Sequence, residues 1–391
     1  MSKKYGLDKY IWVSVVIMAA VLIGIGLYAW HTDQGTSANS NTQAQLIFAD
    51  SAKGQVYITN DSSQQLSSYS FVKNSYLGFE ANDASGDVLF SLNANTPGES
   101  FMLLKSGSLK SLPTEVVQRL RLSVTVGASA NLYLADSNTA LTVACTDPNS
   151  TCVLESVNLT SGEATPIVDS GVAQTDPNSP QVFLVGYSAG ARSAYLRVIG
   201  ANKLGNSTSA VYRIDINSKQ VTGSYSVPQS AGYAIAVSPD NAKLAYHTPG
   251  QSTTVHVLNM SDGQDQNVTI NSSSLANLAG AIRWSPDSQK LLVQTQGKTS
   301  ASPTQSVFIS LSKKSVTTLQ QIDNSSLGII YYQDWLDNAN VIYQTITTGV
   351  AYNYANTNSN TLTFQQNVFN KMTANFNSPG GNLLQVFQIP K

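Results

Sequence analysis

One segment of this chain is spelled twice. Ala234-Ile235-Ala236-Val237-Ser238-Pro239-Asp240, followed by Leu244-Ala245-Tyr246, returns 47 positions later as Ala281-Ile282-Arg283-Trp284-Ser285-Pro286-Asp287, followed by Leu291-Leu292-Val293. In each copy an apolar run leads into Ser-Pro-Asp. The proline presets φ for the first central position of a turn, the aspartate can bond back to turn amides, and a second apolar run follows. The runs are four to six residues long, rich in Val, Ile and Tyr, and broken by Pro, so the element is a strand-turn-strand hairpin and not a helix. A period of this length implies stacked four-stranded units.

Fainter copies extend the pattern. Ser378-Pro379-Gly380 precedes Leu383-Leu384-Gln385-Val386, Trp335-Leu336-Asp337-Asn338 precedes Val341-Ile342-Tyr343, and Ser188 precedes Ala194-Tyr195-Leu196. Second hairpins lie between them, over 154–167, 211–227, 254–270 and 306–319. Two hairpins per repeat make one four-stranded blade. Earlier first hairpins are placed near Leu77 to Phe90 and Leu122 to Leu134, with Val182 to Val198 as the next. From Leu46 to Lys391, about 49 residues per repeat gives seven blades, with six or eight left open by the irregular stretch from Pro97 to Gly171. The run Leu46 to Ile58 lacks a preceding hairpin and Phe376 to Ile389 lacks a following one. Pairing the two termini within one blade would close the ring and remove open sheet edges.

The Ser-Pro-Asp turn followed by Leu-Ala-Tyr resembles the repeat of TolB-like β-propellers, which also occurs in propeller domains of prolyl oligopeptidase relatives. The repeat-turn residues that carry the resemblance are Ser238, Pro239, Asp240, Ser285, Pro286, Asp287, Ser378 and Pro379. It implies an all-β propeller, and for the TolB proteins a soluble periplasmic chain with an additional N-terminal α/β domain. This chain departs from that pattern, with no room for such a domain and an apolar segment in its place.

That segment, Tyr10 to Trp30, is 21 residues without a charge, enough to cross a hydrocarbon core of about 30 Å as a helix. Tyr10, Trp12, Tyr28 and Trp30 sit at its ends, and Lys3, Lys4 and Lys9 precede it. Positive charge stays inside, so residues 1–9 are expected in the cytoplasm and the propeller outside the plasma membrane. A cleaved signal peptide is the competing reading, but Leu27-Tyr28-Ala29 is a mediocre cleavage site. Residues 31–45, polar and without apolar periodicity, read as a flexible tether, which leaves 46–391 as the propeller.

Only 12% of residues are charged, and the part beyond the membrane segment carries a net charge near −3 without a Lys/Arg cluster. Nucleic-acid binding needs a basic footprint and is not expected. Cys145 and Cys152 flank Asp147-Pro148-Asn149, a strong turn former, so a disulfide is expected in an oxidising compartment; two free thiols are the alternative. A metal site would need further ligands, and His31, His247 and His256 are not adjacent in sequence. No cofactor is implied.

The enzymatic alternative is Gly186-Tyr187-Ser188-Ala189-Gly190, a GxSxG match that in an α/β-hydrolase is a strand-to-helix nucleophile elbow. A triad would require His247 or His256, and Ser188 also falls in register with Ser238 as a worn repeat serine. Too few His and Glu fall on inner strands to nominate a lactonase- or lyase-like set. Asp262-Gly263-Gln264-Asp265 reads as a hairpin turn and not a calcium loop. Trp284 and Trp335 occupy equivalent positions suited to packing between blades, and the sequons at Asn158 and Asn267 are expected by chance. The functional expectation is a membrane-anchored scaffold that binds an envelope or extracellular protein. A serine hydrolase using Ser188, or a sensor or carbohydrate-binding module, are the alternatives.

Overall fold

The structure is a computed structural model that describes residues 42–60, 66–93, 98–122, 132–145, 152–169, 181–201, 207–231, 234–248, 253–270, 275–297, 305–313, 315–318, 329–346, 350–356, 364–365 and 381–390. The apolar segment 10–30 and the turn residues Ser378 and Pro379 lie outside them. Among the described residues no helix is long and apolar enough to cross a membrane.

The strands form seven antiparallel four-stranded sheets. The first joins β1 (Thr42–Asp50), β2 (Gln55–Asn60) and β3 (Leu66–Ser70) to the last strand of the chain. The second contains β4 (Leu77–Asn82), β5 (Val88–Leu92), β6 (Ser100–Lys105) and β7 (Ser108–Ser111), and helix α1 (Thr114–Leu122) follows it. The third contains β8 (Tyr133–Asp136), β9 (Thr139–Cys145), β10 (Cys152–Asn158) and β11 (Ala164–Asp169). The fourth contains β12 (Gln181–Ser188), β13 (Ser193–Ala201), β14 (Ser207–Asp215) and β15 (Gln220–Ser226). The fifth contains β16 (Ile235–Val237), β17 (Lys243–Tyr246), β18 (Thr254–Asn259) and β19 (Asp265–Thr269). The sixth contains β20 (Leu275–Trp284), β21 (Lys290–Gly297), β22 (Gln305–Ser310) and β23 (Ser315–Thr318). The seventh contains β24 (Ile329–Trp335), β25 (Asn340–Ile346), β26 (Val350–Asn356) and β27 (Phe364–Gln365).

The chain closes with β28 (Gly381–Pro390), which pairs antiparallel with β1 from Thr42↔Pro390 to Asp50↔Gly381. The innermost strands touch in the cyclic order β28, β4, β8, β12, β16, β20, β24 and back to β28. A closed cycle of seven inner strands is a seven-bladed propeller, with the two termini sharing one blade as expected.

The core lies between blades. Each apolar cluster joins the facing sheets of two neighbours: Ile47 and Val56 with Phe79 and Phe90, Leu89 and Phe101 with Leu134 and Val157, and Leu141 and Leu154 with Leu184 and Leu196. Strands near the ring's centre are covered on both faces, as in the second strand β5 (Val88–Leu92), where every residue, Ser91 included, is buried. Outer strands such as β19 alternate with solvent, the pattern of a half-exposed sheet.

Two expectations need correction. The stretch Leu122 to Leu134 is not a first hairpin. Val116, Val117 and Leu120 share one apolar helix face, so Thr114–Leu122 coils and packs between the second and third blades, and that blade's first hairpin is β8–β9. The propeller also begins before Leu46, because β28 supplies a hydrogen-bonding edge that makes a strand of the polar residues from Thr42 onward.

Every inner strand runs toward its first turn, and β28 runs toward Pro390. Thr42 and Pro390 therefore lie on the rim that carries the turns after Ser188, Ser238 and Ser285. The opposite rim carries the turns between second and third strands, the connectors between blades, and α1.

Candidate functional site

The repeat turns are the most densely bonded polar feature on the first-turn rim. The Ser238 hydroxyl donates to Asp240 Oδ1 at 2.5 Å and accepts the Lys243 amide at 2.9 Å, while Asp240 Oδ1 accepts the Ala242 amide at 3.1 Å. One blade on, Ser285 donates to Asp287 Oδ1 at 2.6 Å, and accepts the Lys290 amide at 2.9 Å, while Asp287 accepts the Gln289 amide at 3.1 Å. Serine and aspartate are both required, one to bridge the strand ends and one to satisfy the turn amides.

The next residue of each turn, Asn241 at φ 58° and Ser288 at φ 57°, turns left-handed and reaches the preceding blade. Asn241 Nδ2 donates to Ser188 Oγ at 2.7 Å, and the Ser288 hydroxyl accepts the Asp240 amide at 3.0 Å. Burial pushes the Asp240 carboxyl up, but bonds from Ser238, Ala242 and Lys243 outweigh it and hold the group below its ordinary value. A depressed folded-state value contributes stability that is present above about pH 4 and lost as pH falls through that folded-state value. Asp240→Asn is therefore expected to flatten the acid-side fall in melting temperature, measured by circular dichroism between about pH 4 and pH 2. An unchanged acid limb would show that the carboxylate does not stabilise the turn.

Ser188 sits in the corresponding turn of the fourth blade. It is fully buried, pairs across the hairpin with Ser193, and accepts the Ala191 amide at 3.2 Å besides the Asn241 amide group. Strand β13 follows it, where a nucleophile elbow requires a helix. Both histidines lie toward the opposite rim. His247 follows the end of β17, and His256 pairs with Tyr246 and bonds to Asp265 through Nδ1 at 2.8 Å. Among the described residues, the hydroxyl partners of Ser188 are the Ala191 amide and the Asn241 side chain, and neither is an imidazole. Ser188→Ala is expected to cost about 1 kcal/mol in urea unfolding, the worth of a local hydrogen bond. Loss of an esterase activity with unchanged stability would be the opposite result.

The tryptophans repeat one inter-blade contact. Trp284 Nε1 donates to the Ala236 carbonyl at 3.0 Å, and Trp335 Nε1 donates to the Arg283 carbonyl, the equivalent acceptor one blade on, at 3.2 Å. Their rings are buried against neighbouring blades, Trp335 edge-on to Phe308 at 5.5 Å. Cys145 and Cys152 are directly opposite across β9–β10, and Cys152 is buried. That register suits a bond between them. Cys145→Ala is expected to lower stability by roughly 2 to 3 kcal/mol, with a bridged 145–152 peptide in the unreduced wild-type protein by mass mapping. Full alkylation of the folded, unreduced protein would refute the pairing.

Asp262 closes the β18–β19 turn by accepting the Gln264 amide at 2.9 Å, as read, and Asn158 accepts the Thr160 amide at 2.8 Å in a side-chain-capped turn. Asn267 lies exposed on the outer strand β19. Among the described residues no group of three or more His, Cys, Asp or Glu could hold a metal ion.

Several buried or half-buried polar groups carry no local motif. Arg119 of α1 forms a two-point ion pair with Glu155 of β10, its Nε 2.8 Å from Oε1. Arg197, the largest fully buried side chain among the described residues, bonds Ser209 Oγ at 3.2 Å and the Pro228 carbonyl at 3.0 Å, pinning the connector into the fifth blade. Arg283 pairs with Asp334 across the inner strands of the sixth and seventh blades at 3.2 Å. Burial raises the Asp334 carboxyl despite that guanidinium. Only α1 had a legible signal, the spacing of Val116, Val117 and Leu120 after Pro113.

No family model and no curated protein sequence matches this chain. Solved structures match it by shape. A prolyl endopeptidase aligns at TM-score 0.51 and 10% identity, over 94% of this chain and 55% of that one. A Bacteroides fragilis protein provisionally described as a 6-phosphogluconolactonase aligns at TM-score 0.50 and 13% identity, over 90% of this chain and 98% of that one. TolB from Acinetobacter baumannii aligns at TM-score 0.41 and 13% identity over 70% of this chain, and the match spans only 62% of the TolB chain. At such identities the likeness is one of fold alone. With the closed cycle of inner strands, it identifies the chain as a seven-bladed β-propeller.

Proposed function

We propose that the protein is a membrane-anchored, extracytoplasmic propeller that serves as a protein-interaction module of the cell envelope. The observation that carries this reading is the use of the repeat polar groups. Ser188, Ser238, Asp240, Ser285 and Asp287 are consumed by bonds within and between blades, which makes the ring rigid and leaves its rims as presentation surfaces. A pre-organised surface loses little entropy on docking, the main advantage of such a scaffold. The anchor rests on the uncharged segment 10–30 behind Lys3, Lys4 and Lys9.

Two measurements test it. Reporter fusions at the C-terminus should be active when the reporter matures outside the membrane and inactive when it matures in the cytoplasm; the reverse pattern would overturn the orientation. Photoreactive residues scanned over both rims of the full-length protein in its own membranes should give discrete protein adducts at clustered positions. Adducts at no position, or hydrolysis of ester probes by the purified protein, would overturn the interaction role.

A further inference from the structure

The first turn of the fourth blade breaks the repeat at its charged positions. In the fifth blade the turn supplies its own ion pair, Asp240 with Lys243 at 3.5 Å, and the sixth blade keeps Asp287 and Lys290 at the same places. In the fourth blade those places hold Gly190 and Ser193. A Cβ built on exposed Gly190 would meet nothing within 4 Å, so the place of the missing carboxylate is open.

Cations are nevertheless present. Arg192 donates from Nε to Asn217 Oδ1 at 2.9 Å, Arg213 from Nε to Ser193 Oγ at 3.3 Å, and Lys219 from Nζ to the Pro166 carbonyl at 3.0 Å. All three acceptors are neutral. Ser193 is buried and donates to the Ala191 carbonyl at 3.1 Å, which fixes the oxygen that holds Arg213. Among the described residues the Nη groups of both arginines have no acceptor, and Arg192 is exposed and Arg213 half-exposed. The carboxylate of this corner, Asp215, accepts the Ser218 amide at 2.7 Å, which holds its charge more strongly than Arg192 does. Tyr187, just before Ser188, adds a buried hydroxyl without a partner among the described residues, in the field of Arg192 and Asp136. A buried donor left unmatched is costly, and a ligand oxygen would match it.

The flanks carry the opposite sign. On the same rim the two turns of the third blade hold Asp136 and Glu163 and no cation of their own, and those of the fifth hold Asp240 and Asp262 against Lys243 alone. A polyanion laid across these blades would meet carboxylates on either side, whereas a single anionic group fits between them. A guanidinium fork matches a carboxylate at two points.

Resting on the interaction module above, we infer that this corner is a carboxylate-binding site, and that its occupant is an aspartate or glutamate side chain of the partner protein with Lys or Arg on both sides. Arg192 and Arg213 bind the carboxylate where the next two blades place Asp240 and Asp287, and the basic neighbours meet Glu163 and Asp262.

Two experiments on the full-length protein test it. In detergent, the probe is the peptide acetyl-Lys-Gly-Glu-Gly-Lys-amide, and the readout is modification of Arg192 and Arg213 by phenylglyoxal, followed by peptide mapping. The peptide should slow modification of both about fivefold, and its Gln-for-Glu counterpart should not. Equal protection by the Gln peptide, no protection by either, or stronger protection by penta-glutamate or anionic lipid vesicles would overturn the site. In its own membranes, a photoreactive residue at position 190 should give a protein adduct whose cross-linked peptide carries Asp or Glu between basic residues. Its yield should fall about tenfold in the double variant Arg192→Gln, Arg213→Gln, and about threefold in Glu163→Lys. Glu163 is exposed and leaves both arginines in place, so that variant reads the site even if the double variant loses stability. Adducts insensitive to both variants would overturn the inference. Protein adducts elsewhere on the rims and none at 190 would refute this site while leaving the interaction role standing; none anywhere would count against both.

Discussion

Removing residues 381–391 is expected to abolish cooperative unfolding of the propeller. Strand β28 contributes nine residue pairs to β1 and touches the inner strands β4 and β24 on either side. Its loss uncovers the β1 edge and breaks the ring at two blade interfaces, where the apolar area released is large relative to a domain's whole margin of about 5–15 kcal/mol. Urea titration followed by circular dichroism should show a broad, early transition in place of a sharp one. A synthetic peptide of residues 381–391 added in trans should restore part of the lost transition, since a ligand that binds only the folded state stabilises it. A truncated chain that melts cooperatively at the wild-type midpoint would show that the ring does not depend on its closing strand.

Trp284→Ala should cost about 3–5 kcal/mol, because it opens a cavity between the fifth and sixth blades where Ala236, Val255, Ile282 and Leu291 pack together. Trp284→Phe keeps most of that burial and loses the indole N–H, leaving the Ala236 carbonyl without its 3.0 Å donor. Its cost should be about 1–2 kcal/mol. The equivalent Trp335 changes should rank the same way, since the contact is the same one moved by a blade. Both are read by urea unfolding. A Trp284→Ala protein of wild-type stability would refute the packing role of the ring.

The Ser-Pro-Asp turns, the second hairpins from Leu154 to Ile167 onward and the seven-blade count were legible because they depend on local chemistry. Turn type and strand alternation are set by residues a few positions apart, and a repeat states them several times. Even the termini pairing followed, since an unmatched strand at each end of a repeat array has one partner that removes both edges. Ser188 shows where local reading stops. Gly186 to Gly190 matches a catalytic elbow as well as a worn repeat in register with Ser238, and the Asn241 amide group at 2.7 Å comes from a turn 53 positions away.

What the sequence determined by itself is the all-β repeat, its approximate number and the apolar segment that precedes it, because each is written in nearest-neighbour spacing or composition. Only the tertiary structure decided that Thr114–Leu122 is a helix wedged between blades and that Arg119 meets Glu155. It also decided that the connector from β3 to β4 lies on the rim away from Thr42, with Val72 and Tyr76 exposed. Those facts depend on which blade faces which, and contacts between residues far apart in the chain leave no period to be read.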